Sequence, residues 1–488
     1  MENTRLQTRS AISRRELLTD SCCGFGGMAL ATMLAEGTVS GEESTTGAGF
    51  SPEAHPASPL DSKKSHFPAK AKSVIFLFMA GGPSHLETFD PKPLLNKLHG
   101  QKRPAEFGEA KYQQIQEGTT LLGSKRRFRQ YGESGTEVSD LFPHLSKCVD
   151  DISVIRSMHG DMVVHSAAQY ELFSGRLNPG FPSMGSWTVY GLGCESQSLP
   201  SYVVLPDPAG ALEAGQPMYM NGFLPAVYQP TMFRPGNRPV LNLDLPSGVP
   251  FERRKRTQSF IRDLNSAGTA PDDQELLARI NSYDLAFRMQ MTAPKVLDLS
   301  TETEETIRLY GADRKPTEDY GRRCLMARKL VESGVRFVCV VSGGGPGDMQ
   351  WDAHADIEEN HQRKAMETDQ PVAGLLTDLR QRGLLDDTLV LWGGEFGRSP
   401  EAQSSKGRDH HNLGFSMWMA GGGVRGGQVV GATDAIGLRA IERPCHFRDL
   451  HATILHQLGI DQHRLTFPHL GRNERLTFLE GQLIREII

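Results

Sequence analysis

Apolar residues in this chain collect in short unbroken runs. Val74 to Met79, Val335 to Val341 and Thr388 to Trp392 are the clearest, with shorter runs at Ile152 to Arg156, Ser201 to Leu205 and Phe415 to Met419. A run of strand length with apolar side chains on both faces predicts a strand buried on both faces, as in the centre of a parallel sheet. Between these runs the apolar residues return with helical spacing. Leu141 to Val149, Ser166 to Phe173, Gln274 to Met291, Asp319 to Ser333, Thr368 to Arg382 and His446 to Gly459 are expected as helices, the last stopped by Gly459. Strand and helix alternate, which predicts an α/β fold with helices on both faces of a mainly parallel sheet. No internal repeat interrupts that order.

The ends of the apolar runs are where the polar chemistry sits. Val74 to Met79 leads into Gly81-Gly82-Pro83-Ser84-His85, then Glu87 and Asp90. Val335 to Val341 leads into Gly343-Gly344-Gly345 and Trp351-Asp352-Ala353-His354. Thr388 to Trp392 leads into Gly393-Gly394-Glu395, then Arg398 and Asp409-His410-His411. In open α/β sheets ligands bind beyond the carboxyl ends of the strands. Asp352, His354 and one of His410 and His411 make a carboxylate and two imidazoles, a donor set that suits Zn²⁺ or Mn²⁺. Arg398 is a candidate to clamp an anion or to pair with Glu395. His165, at an expected helix start, is placed where anions are favoured. The glycine turn at 343–345 is not a phosphate loop, because no Gly-Lys-Ser/Thr follows it.

Composition narrows the class. The chain has 488 residues and a net charge of −5, which argues against a general nucleic-acid binder. The basic runs Lys125 to Arg129 and Arg253 to Arg256 are expected as solvated faces or loops. No stretch is long and apolar enough for an ordinary membrane span. Ser13-Arg14-Arg15-Glu16-Leu17-Leu18, followed by a weakly apolar run, resembles a twin-arginine export signal. Residues 1–40 are therefore expected as signal, with cleavage near Ala31 to Ala35, and 41–72 as a flexible linker. Residues 73–488 form one domain, with an irregular, Pro- and Gly-rich excursion over about 207–250 that could cover a site. Cys22 and Cys23 would leave with the signal. The remaining five cysteines are an odd number, which argues against a full disulfide framework and leaves room for one pair.

Taken together, MAGGPSHLETFDPKP, WDAH, GGEFGRSP, GRDHHNLGFSMWMAGGGVRGG and the twin-arginine start resemble the exported bacterial family called domain of unknown function 1501, from about Ser73 to the carboxyl terminus. The resemblance implies a distant relative of the alkaline phosphatase and sulfatase superfamily, with a three-layer α/β/α sandwich and a metal site at the sheet edge. It implies a divalent metal (Zn, Mn or Ca) on Asp352, His354 and His411, with His410 competing for the last place. Glu395 resembles a ligand of a second metal position, where Asp90 or Glu87 would replace an acid missing after the first strand, and where Phe396 stands in place of a histidine. HSAAQYELFSGR is similar to the stretch that carries the sulfatase nucleophile, which puts His165 in that slot. The resemblance thus implies an exported, periplasmic or extracellular hydrolase of sulfate or phosphate esters. Its catalytic residues would be His165, Glu395 and Arg398, and its partner a sulfated or phosphorylated small molecule or polysaccharide. The alternative is a non-catalytic binding or assembly protein with a partly eroded metal site.

Overall fold

Val74, Phe76 and Phe78 turn to one face of the central strand while Ile75, Leu77 and Met79 turn to the other, and all six are fully buried. An unbroken apolar run therefore has two hydrophobic faces to cover, and each becomes one core of the molecule. In this computed structural model the described residues are 59–115, 119–236, 238–241, 243, 250–267 and 274–488. The twin-arginine segment and most of the expected linker lie outside them.

The strands that matter for the site are β1 (Ser73–Met79), β2 (Ile152–His159), β3 (Tyr202–Leu205), β4 (Thr231–Met232), β5 (Phe337–Ser342), β6 (Thr388–Gly393), β7 (Gly397–Gln403), β8 (Gly407–His411), β9 (Phe415–Ala420), β10 (Val429–Val430) and β11 (Cys445–His446). The longer helices are α1 (His165–Ser174), α2 (Met184–Leu192), α3 (Phe251–Ala267), α4 (Gln274–Leu297), α5 (Glu318–Glu332), α6 (Ile357–Gln381) and α7 (Phe447–Gln457). A nine-stranded sheet runs in the order β10-β2-β9-β6-β1-β5-β3-β4, with β11 also on β2. β1 is parallel to β5 and β6, and β5 to β3. Only β9 runs against its neighbours β2 and β6 in this sheet. Residues of α5 and α6, such as Leu330 and Leu375, cover one face, and residues of α1, α2 and α7, such as Phe173, Trp187 and Ile454, cover the other. The result is the expected three-layer α/β/α sandwich.

Several local expectations change. Leu141 to Val149 holds a 3-10 helix, Leu145–Asp151, in place of an amphipathic α-helix. The basic run Arg253 to Arg256 lies within α3 and is mostly exposed, the solvated face rather than the loop of the two expected alternatives. Residues 59–72 dock along the domain, so that part is not a free linker. Lys63 N donates to Leu192 O, and Lys70 N and Ala71 N both donate to Gln457 O, each at 2.8 Å. Backbone groups paired this way, with Ala71 buried, hold the segment in place. Cys148, Cys194, Cys324, Cys339 and Cys445 are buried free thiols; the one disulfide left open above is absent among the described residues.

At the carboxyl end of β1 the chain turns through Gly81 (φ +101°) and Gly82 (φ +74°), a region that disfavours side chains. A Cβ on Gly81 would stand 2.6 Å from Asp352 N and 2.7 Å from Trp351 N; one on Gly82 would stand 2.6 Å from the Phe396 ring. The Gly81 contacts are backbone atoms, which cannot swing aside. Gly81→Ala is expected to cost about 1–3 kcal/mol or more, read as a lowered midpoint in urea unfolding. An unchanged midpoint would contradict this reading of the turn.

Candidate metal centre

Three histidines and one aspartate converge beyond the carboxyl ends of β1, β5 and β6. His165 is the first residue of α1, Asp352 and His354 lie in the loop between β5 and α6, and His410 lies on β8. His354 Nε2 is 2.9 Å and His410 Nε2 3.2 Å from Asp352 Oδ1. His165 Nε2 is 3.4 Å from Asp352 Oδ2, and the Nε2 atoms of His354 and His410 are 3.0 Å apart.

The other nitrogen of each ring fixes where its hydrogen lies. His410 Nδ1 stands 2.8 Å from Val163 O and 2.7 Å from Gln113 Oε1, so it donates. His354 Nδ1 faces Gln403 Oε1, whose own amide nitrogen is turned to Gln114 Oε1 at 2.8 Å. His165 Nδ1 lies 2.7 Å from Glu395 Oε1. All three rings thus turn Nε2 toward one carboxylate, Asp352, an arrangement that ring protons hold in the metal-free protein and that a cation could take over. His165 Nε2 is buried without a hydrogen-bond partner.

Negative and lone-pair density gathered this way needs a positive charge. Burial disfavours a charged His165, but the Asp352 and Glu395 carboxylates facing its two ring nitrogens outweigh this and push its pKa up to about 9. His410 is lowered to about 4, first by burial and then by Arg398, against the pull of Asp352. Burial would raise Asp352, yet Arg398 and the three histidines hold it well below the usual carboxylate range. Glu395 is also lowered, with the His165 hydrogen bond overcoming burial.

Around this cluster the remaining expected residues take other places. Glu395 is fully buried, accepts the Gly81 N–H at 3.1 and 3.2 Å and the Gln169 amide at 3.1 Å, and so orients His165. Arg398 is 0 % exposed. It donates to Gly82 O at 3.0 Å, Arg408 O at 3.3 Å, Gly81 O, and Asp352 Oδ1 at 2.5 Å. Its guanidinium therefore joins the β1 turn to Asp352 in place of the expected anion clamp. Asp90 pairs with Lys92 at 2.9 Å and with the Thr433 hydroxyl, and Glu87 pairs with buried Arg408 at 2.7 Å; neither acid joins the cluster. Phe396 packs with its ring centroid 4.8 Å from His165 and 4.6 Å from His410, where the resemblance expects a metal-binding histidine.

His410, not His411, enters the site. Both lie on β8, and successive residues of a strand point to opposite sides. β8 pairs with β7, His410 opposite Arg398 and His411 opposite Gly397. His411 turns instead to Leu438 O, and its pKa falls to about 3, mainly by burial. Sequence reasoning missed Gln113, whose only signal is the polar run around it, and Gln169, which has none.

Asp161, Glu171 and His446 form another group with ligand atoms within 4.8 Å. There His446 Nδ1 accepts the Arg448 N–H at 3.2 Å. The ring hydrogen is then on Nε2, facing Glu171 Oε1 at 3.2 Å. That histidine caps α7 and offers no lone pair to a cation.

Solved structures with a partly similar chain path include the PsFucS1 sulfatase from Pseudoalteromonas sp. (12% identity, 80% of this chain and 68% of that chain, TM-score 0.33). Two others are the phosphonate monoester hydrolase SpPMH from Silicibacter pomeroyi (12%, 70% and 71%, TM-score 0.32) and the alkaline phosphatase from the Antarctic bacterium TAB5 (11%, 80% and 100%, TM-score 0.32). No curated protein matches the chain. The family described as "Protein of unknown function (DUF1501)" matches residues 71–488, nearly all of the described chain, and the protein belongs to that family.

Proposed function

We propose that the chain is an exported metal-dependent hydrolase of sulfate or phosphate esters, with one divalent cation held by Asp352, His354, His410 and His165. The observation that supports this reading is the convergence of three Nε2 atoms on one carboxylate. Four separations, from Asp352 to each ring and from His354 to His410, are 2.9 to 3.4 Å, close to the ~3.4 Å edge of a tetrahedron with ~2.1 Å metal–nitrogen bonds. His165, Asp352 and His410 bring ligand atoms within 4.8 Å of one another. Each histidine also donates its other ring hydrogen to an oxygen, the arrangement usual for metal ligands. A divalent cation in such a set polarises a bound oxyanion and acidifies water.

The protein's own part is positioning. Arg398 fixes Asp352, Glu395 and Gln169 fix His165, and Phe396 packs against the His165 and His410 rings, which meet each other with centroids 4.3 Å apart. His354, with a quarter of its side chain exposed, is the side on which an ester would approach. Glu395 and Arg398 are positioning residues in this reading, and His165 serves as a ligand or, with the cation on the other three residues, as a proton donor. The test is a panel of sulfate and phosphate esters assayed with the metal-loaded protein and with His354→Ala. Turnover lost in the variant is expected; turnover unchanged by it would move the chemistry elsewhere.

A cation must displace the proton that His165 holds in the metal-free protein. His165 is raised in the folded state, so its protonated form adds stability fully present below the unfolded pKa near 6.5. That stability is lost as pH rises through about 9. Apparent zinc affinity is therefore expected to rise with pH up to about 9 and then level off, measured by chelator competition from about pH 6.5 to about 10. A profile flat over that range would contradict His165 as a ligand.

The burial of Glu395 and Arg398 favours a second reading, a binding or assembly protein that keeps the cation for structure. Carbohydrate or protein binding without turnover of any ester would support it.

A further inference from the structure

A cavity of about 900 Å³ opens beside Leu205 and Pro206, at the carboxyl end of β3, and shares no lining residue with the histidine cluster. Its volume suits a small-molecule or short oligomer site. Five arginines line it against two aspartates: Arg234, Arg238, Arg254, Arg322 and Arg323 face Asp298 and Asp319. Both acids are already engaged. Asp319 is 2.5 Å from Arg323, and Asp298 accepts Ser300 N at 2.9 Å and Ser300 Oγ at 2.6 Å. Arg323 also donates to Val341 O, which makes it part of the wall. Arg234, Arg238 and Arg254 form no ion pair among the described residues. They come from different places in the chain, the segment after β4 and the first turn of α3, yet turn to one space.

We propose that this cavity binds a small molecule bearing a sulfate or phosphate group through Arg234, Arg238 and Arg254. Guanidinium groups match sulfate and phosphate oxygens with paired hydrogen bonds and stay charged at any physiological pH. Like charges drawn together without counter-ions repel, and an anion relieves that repulsion. The site lies at the same sheet edge as the histidine cluster but needs neither the cation nor turnover. It would hold an anionic group of a ligand independently of whatever the cluster does.

The experiment is calorimetric titration of the full mature chain at about 0.15 M ionic strength. The probes are a sulfated tetrasaccharide, the same tetrasaccharide after desulfation, and inorganic phosphate. The proteins are wild type, Arg234→Ala with Arg254→Ala, and His410→Ala. The sulfated probe is expected to bind wild type and to lose about tenfold or more in affinity in the arginine variant, with no binding of the desulfated probe. Displacement of the sulfated probe by inorganic phosphate would support the same site and assign phosphate as the preferred oxyanion. Equal affinity in wild type and the arginine variant would overturn the proposal, as would equal binding of the desulfated probe or failure of every anion to bind. Loss only in His410→Ala would also overturn it, because the binding would then belong to the histidine cluster. Failure of the hydrolase reading shows in the ester panel and leaves this titration unaffected.

Discussion

His410→Ala is expected to lower the affinity for a divalent metal by at least about 100-fold, while His411→Ala leaves that affinity within a few-fold of wild type. Loss of an outer partner of a metal ligand alone costs about 10- to 100-fold, and loss of the ligand itself should cost no less. The two residues are adjacent and chemically identical, so composition and local charge are held constant between the variants. They differ in direction. His410 Nε2 is 3.2 Å from Asp352 Oδ1, and His411 Nε2 is turned to Leu438 O. His411→Ala should be the more ordinary core lesion, because that ring is fully buried and its loss leaves a space near Tyr112. Chelator competition reads metal affinity, and urea unfolding of the metal-free proteins reads stability. The reverse ranking of the two variants in metal affinity would move the site to the other side of β8.

Glu87→Ala is expected to be the most destabilising single change near the site, by about 3–5 kcal/mol. Arg408 and Glu87 are both 0 % exposed and 2.7 Å apart. The arginine further donates to Ser399 O at 3.0 Å, Pro400 O at 3.3 Å and Leu122 O at 2.9 Å. Removing the acid leaves a guanidinium charge in the interior with only carbonyl dipoles to face it. Against a usual total of about 5–15 kcal/mol, such a loss would lower the urea midpoint severely. Glu87→Gln keeps the shape and one acceptor, so it should cost clearly less. Equal midpoints for Glu87→Ala and wild type would mean that Arg408 finds water or another acid.

How these residues relate to the sequence depends on how locally their roles are set. β1, β5 and β6 were legible because a strand covered on both faces has to be apolar throughout. Asp352 and His354 were legible because they follow such a strand within one loop. The choice between His410 and His411 was not. It depends on the pairing of β8 with β7, two strands whose residues (Gly397–Gln403 and Gly407–His411) are mostly buried and largely polar, so no apolar rhythm marks them. Arg398 was placed at the site as an anion clamp or a partner of Glu395, but its pairing with Asp352 was hidden, as was Arg408 altogether. An arginine in sequence reads as an exposed cation, and burial with carbonyl and carboxylate partners is a property of the folded neighbourhood. The helix α3 was missed for a related reason. Its charges at Arg253 to Arg256 fitted a solvated face or a loop equally, and the solvated side of a helix is what they form. Glu395 stood correctly beside the site, yet its part in orienting His165 depends on α1, 230 residues away in sequence.

The most direct test is the metal content of the mature protein, purified without added metal and measured by elemental mass spectrometry beside His410→Ala. One equivalent of a divalent metal in wild type, absent from the variant, is the expected result. Two equivalents would contradict a single centre, because Phe396 and the glycine turn would then leave room for a second. No metal in wild type, and none taken up on addition of zinc or manganese, would contradict the metal centre itself.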